Sequence, residues 1–131
     1  MTQNERPEIE IAVPAEAAYL AVLRTAAAGL ATRLDFTLDD IEDLRIAVDE
    51  ACSILLGQAV RGSHLVCRFH LSGDSLTVVV EVESAEPTIP TRHGFAWTVL
   101  SALASSVDFA IPDARHLEIT LVQRRPADAM H

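Results

Sequence analysis

Residues 39–56, DDIEDLRIAVDEACSILL, decide how this chain is read. Ile41, Leu44, Ala47, Val48, Ala51, Cys52 and Leu55 recur at steps of three and four, so they share one face of a helix. Asp39, Asp40, Glu42 and Asp43 crowd its start, where the helix dipole favours negative charge. Asp49 and Glu50 sit deep in the apolar run. A carboxylate there costs free energy unless water, a partner or a chemical role accounts for it. Glu50 is therefore the first residue to question.

Working upstream, Ile9, Ile11 and Val13 alternate as in a short strand, which Pro14 ends. Residues 15–34 predict a helix with Tyr19, Leu20, Leu23 and Leu30 on its apolar side, weakened late by Gly29. A turn at 35–38 follows, with Thr37 or Asp39 as the cap of the central helix. Downstream, residues 57–63 break that helix, with Gly62 as the turn signal. Leu65, Cys67, Phe69 and Leu71 alternate, and a second strand at 76–82 completes a hairpin across Ser72-Gly73-Asp74. Residues 83–92 form a loop carrying Pro87 and Pro90. A third helix is expected over 94–107, with Phe95, Val99, Leu100, Leu103 and Val107 inward. Strands at 108–111 and 116–123 close the chain around Pro112-Asp113. The order β-α-α-β-β-α-β-β predicts an α+β fold, a two-layer sandwich with three helices on one face of a mixed, mostly antiparallel sheet. Residues 9–123 read as one domain, 1–8 as a disordered N-terminus and 124–131 as a mobile tail.

Composition narrows the function classes. The 131 residues suit one domain with a real core. The net charge is −9, and all ten basic residues are scattered arginines, with only Arg124 and Arg125 adjacent. Nothing in that pattern neutralises phosphates, so a nucleic-acid partner is not expected. An acidic surface steers basic partners instead. No apolar run has the length of a membrane span, and the first ten residues lack a signal peptide's basic and apolar regions. Cys52 and Cys67 suit a reducing cytoplasm as buried thiols, one on a helix face and one in a strand. The five histidines have no ligand-like spacing with the cysteines, so no metal site is expected from them.

The run Leu44-Arg45-Ile46-Ala47-Val48-Asp49-Glu50-Ala51-Cys52 resembles the second helix of RsbW-type anti-sigma factors, within the GHKL (Bergerat-fold) ATPase and kinase superfamily. Arg92-His93-Gly94-Phe95-Ala96-Trp97-Thr98-Val99-Leu100 is similar to that family's glycine-containing approach to its last helix. The likeness spans about residues 9–123 and is greatest to the actinobacterial UsfX-like branch. It implies a cytoplasmic homodimer that binds a stress- or sporulation-type sigma factor and keeps it from RNA polymerase. It also implies ATP-dependent phosphorylation of a serine on a STAS-type anti-anti-sigma protein.

Carried over residue by residue, the resemblance makes Glu50 the general base. The family's Mg²⁺-holding asparagine, four residues on, falls on Ile54, which offers no oxygen to a cation that requires oxygen ligands. The adenine-reading Asp-x-Gly falls on Val82-Glu83-Ser84. Glu83 is the nearest carboxylate, but a one-residue slip in a strand turns a side chain to the opposite face. Of two glycines expected at the last helix's N-terminus, where free N–H groups hold phosphate, Gly94 remains and Ala96 replaces the other. Arg92 and His93 are the remaining anion contacts there. Glu50 is then a base, a vestigial nucleotide contact or a carboxylate paired with an arginine. Glu16, Tyr19 and Arg24 in the first helix are the partner-facing candidates, Tyr19 also reading as core.

Three functions follow: an anti-sigma factor with a degenerate ATP site, an active serine kinase of the same family, or a structural dimer without a sigma partner.

Overall fold

The computed structural model describes residues 7–91 and 94–125. Its elements are β1 (Ile9–Pro14), a 3₁₀ turn (Ala17–Tyr19), α1 (Leu20–Arg33), α2 (Leu38–Leu56), β2 (His64–Ser72), β3 (Ser75–Glu83), α3 (Phe95–Leu103), β4 (Ser106–Asp113) and β5 (His116–Arg124). The strands form one sheet in the order β1-β2-β3-β5-β4, and every pairing among the described residues is antiparallel. The expected two-layer α+β sandwich is the fold found, with an antiparallel sheet in place of the mixed one expected.

The core lies between one sheet face and the helices. Leu65, Cys67 and Phe69 of β2, Leu76, Val78, Val80 and Val82 of β3, and Leu117, Ile119 and Leu121 of β5 all point into it. They meet Leu44, Ala47, Val48, Ala51, Cys52 and Leu55 of α2, the stripe read from the sequence. The other sheet face stays open. At its centre Arg68 reaches Glu81 at 2.9 Å and Glu118 at 3.3 Å.

Local chemistry explains the boundaries. Thr37 caps α2, its Oγ1 accepting the Asp40 N–H at 3.1 Å. Gly73 takes φ +52 and closes the two-residue turn between β2 and β3. The first helix starts at Leu20 rather than 15, because no capping side chain precedes it and Glu16 is extended. Tyr19 is thereby left outside the core, 40% exposed.

The third helix is shorter than expected. Ala104 is already extended, so Ser106 and Val107 belong to β4 and Val107 meets the core from the sheet. Phe95, expected inward, is 79% exposed at the first position of α3, while Trp97 and Leu100 are the buried pair.

The paired chain begins at Glu8, whose N–H donates to the Phe69 carbonyl. It runs to Arg125, which donates to the carbonyls of Asp74 and Leu34. The rest of the expected N-terminal and tail segments lies outside the described residues. Among the described residues no helix is long and apolar enough to cross a membrane.

Candidate functional site

Successive residues on a helix project about 100° apart, and α2 uses this to separate its two central carboxylates. Asp49 turns towards α1, where its Oδ1 accepts from Arg24 Nη1 at 2.5 Å. Arg24, Glu42, Arg45, Ile46 and Asp49 line a shallow groove of about 150 Å³ between the two helices. Glu50 is half-buried on the other flank and has no side-chain partner among the described residues. Among the described residues the arginine-paired carboxylate is thus Asp49 and not Glu50.

Ile54 and Gln58 follow Glu50 at steps of four, Gln58 lying in the turn just past the end of α2. Ile54 packs against the core. Gly57 keeps helical angles and the Gln58 N–H donates to the Leu55 carbonyl, which carries the turn past Leu56. Gln58 then meets the segment that leaves β3. Its Nε2 donates to the Thr88 carbonyl at 2.8 Å, and its Oε1 accepts the Thr88 N–H at 2.9 Å and the Ser84 hydroxyl at 3.5 Å. Nothing in composition or spacing marked Gln58. Its position one turn beyond Ile54 is the signal that was available.

Val82 and Ser84 are both buried. The Ser84 N–H donates to the Arg115 carbonyl at 2.7 Å, so strand pairing continues one residue past β3. Glu83, between them, faces the open side of the sheet and pairs with Arg115 at 2.9 Å. The structure therefore does not bring Glu83 together with Glu50 and Ile54. Gly94 opens α3 with ordinary negative φ, but a Cβ there would stand 3.0 Å from Thr91 Oγ1 and 3.2 Å from the Thr91 carbonyl. Close approach explains that glycine. Ala96, the second residue of α3, is half-buried. Trp97 Nε1 donates to the Pro90 carbonyl at 2.9 Å, and its ring tilts over Phe109 with centroids 4.7 Å apart. Arg92 and His93 lie outside the described residues.

The donor set does not fit the family's magnesium. Ile54 supplies no oxygen, and the described residues contain no group of three histidine, cysteine or carboxylate side chains able to hold a metal. Among the partner-facing candidates, Glu16 and Tyr19 are exposed and Arg24 is engaged with Asp49. Cys52 and Cys67 are buried free thiols, as read from the sequence.

No protein-family model matches the chain. Among curated proteins it is 42% identical over 81 residues to the serine-protein kinase RsbW of Halalkalibacterium halodurans, covering 61% of this chain and 50% of that protein. It is 37% identical over 84 residues to the Bacillus subtilis protein of the same name, covering 62% and 52%. The chain thus spans about half the length of the curated relatives it matches. In fold it matches a Mycobacterium tuberculosis structure of RsbU and RsbW domains with a TM-score of 0.67 at 18% identity, over 92% of this chain and 34% of that one. Shared sequence over about three fifths of the chain and shared architecture over most of it agree with the resemblance first read from the central helix: the chain is similar to RsbW serine-protein kinases in sequence and to an RsbW-containing structure in fold.

Proposed function

We propose that this chain is a cytoplasmic anti-sigma factor that sequesters an alternative sigma factor from RNA polymerase and has a degenerate ATP site. One observation carries the reading. Where the family holds adenine, metal and phosphate, this chain has Ile54, Val82 and Ser84 packed or internally bonded, and Ala96 where a glycine is expected. Phosphoryl transfer depends on metal and positioning more than on covalent help from the protein. Losing those groups removes catalysis before it removes the scaffold. The net charge of −9 suits a basic helical partner. Glu16, Tyr19 and Arg24 are the proposed partner contacts, and a homodimer the proposed assembly. A pull-down against the cell's alternative sigma factors, with and without Mg-ATP, tests this. Capture of one sigma factor irrespective of nucleotide supports the reading, and capture of none refutes it.

The second reading is an active kinase of a STAS-type anti-anti-sigma protein. The carboxylate of Glu50, without a side-chain partner among the described residues, favours it, as does the kinase name of the relatives. Transfer of labelled phosphate to such a protein, abolished by Glu50→Ala, is its test.

A further inference from the structure

Residues 84–90 run from the end of β3 towards α3, the two elements that carry the family's adenine and phosphate positions. Midway the segment is fastened to the third element of the site. Gln58, in the turn that continues α2 one step of four beyond Ile54, takes both backbone groups of Thr88 in its amide and also accepts from Ser84. A primary amide offers a donor and an acceptor side by side, so it pairs with Thr88 as a neighbouring strand would. Farther along, Trp97 holds the Pro90 carbonyl while its ring is anchored on Phe109. At the near end Ser84 is tied to the Arg115 carbonyl, and the Val60 N–H to the Glu83 carbonyl. The segment contains two prolines and no glycine. It therefore has little conformational freedom to lose in closing and no hinge for easy opening.

We propose that residues 84–90 form a strap, latched by Gln58, that closes the site bounded by Glu50, Ile54 and Ser84 and keeps adenine nucleotides out. This rests on placing the nucleotide site by those three residues. It adds that the site is shut by the chain's own backbone, beyond the loss of its metal ligand. A ligand entering must first displace the Thr88 contacts, so its apparent affinity falls by the fraction of molecules that are unlatched.

The test compares the full chain with Gln58→Ala and Gln58→Glu, the latter keeping an acceptor for the Thr88 N–H while losing the donor to its carbonyl. Hydrogen exchange at the Thr88 amide reads the latch. A fluorescent ADP analogue in EDTA reads access without requiring magnesium. Exchange at least about tenfold faster in Gln58→Ala, with analogue binding tighter by about the same factor and Gln58→Glu between, is the expected result. Unchanged exchange, or faster exchange without a gain in binding, overturns the proposal. Sigma-factor capture by the same variants separates the two readings. It stays at the native level if only the strap idea fails and is absent in every protein if the anti-sigma reading fails.

Discussion

Arg24 of α1 closes on Asp49 of α2, with Nη1 and Oδ1 2.5 Å apart, while the adjacent Glu50 has no side-chain partner among the described residues. Two consecutive carboxylates thus have different surroundings. One joins the helices beside a surface groove, and the other is half-buried on another flank of α2.

Arg24→Ala should cost no more than about 1 kcal/mol of stability, because both side chains are about a third or more exposed. It should weaken sigma-factor binding more than folding. Glu50→Ala should change stability by no more than about 0.5 kcal/mol and leave sigma binding intact. Denaturant melts combined with binding titrations check both. A loss of sigma binding in Glu50→Ala would assign that carboxylate to the partner surface.

The open sheet face makes a second prediction. Arg68, Glu81 and Glu118 are each only about a fifth to a quarter exposed, and one guanidinium serves both carboxylates. Burial, with the neighbouring Glu81, raises the pKa of Glu118. A carboxylate raised on folding favours the native state at low pH, and that advantage is lost as pH rises through its folded pKa. Glu118→Gln should therefore match or exceed the native protein in stability at pH 7, its advantage growing with pH. Arg68→Ala should lose about 1–2 kcal/mol. Chemical melts from pH 4 to 8 distinguish these outcomes, and equal destabilisation by both variants would contradict them.

Much of this was legible beforehand. The α2 stripe was read from Ile41, Leu44, Ala47 and their successors, because a 3.6-residue period leaves a clear trace over five turns. The strand order was not legible, because β5 inserts between β3 and β4 through pairings distant in sequence. The early end of α3 was also hidden: Leu100, Leu103 and Val107 keep helical spacing, yet the chain straightens at Ala104 and Val107 reaches the core from a strand. Of the site, Ile54, Val82, Ser84 and Ala96 could be read as departures from a motif. The pairing of Asp49 with Arg24, and the hold of Gln58 on Thr88, depend on how elements meet and leave no periodic signal.

His116 forms a further testable contact. Its Nδ1 lies 2.8 Å from Asp113 Oδ1 across the turn between β4 and β5. The hydrogen bond that His116 donates to Asp113 raises the histidine's pKa, and the same bond lowers that of the carboxylate. The histidine's contribution is present below its ordinary value of 6.5 and is lost as pH rises through its folded pKa. The aspartate's is present above its ordinary 3.8 and is lost as pH falls through its folded pKa. The pair is strongest between those limits. The NMR titration midpoint of His116 should lie above 6.5 and drop towards it in Asp113→Asn; a midpoint unmoved by that substitution would contradict the pairing.

Both cysteines should be chemically silent. Burial pushes the Cys52 thiol up to about 12, with Asp49 adding to the rise. Cys67 is raised further, again chiefly by burial. A thiol kept protonated and inaccessible does not react. Ellman's reagent should find no reactive thiol in the native protein and two after denaturation. One rapid equivalent before unfolding would mean that α2 lifts from the sheet.

The central claim is that an RsbW-type scaffold is retained here to hold a sigma factor while its nucleotide chemistry has lapsed. Transcription by RNA polymerase and the partner sigma factor, with this chain titrated in, tests it most directly when the chain and sigma factor are first mixed with or without a nonhydrolysable Mg-ATP analogue. The account predicts equal inhibition in both arms. Inhibition that appears only after mixing with the nucleotide, or no inhibition at all, would contradict it.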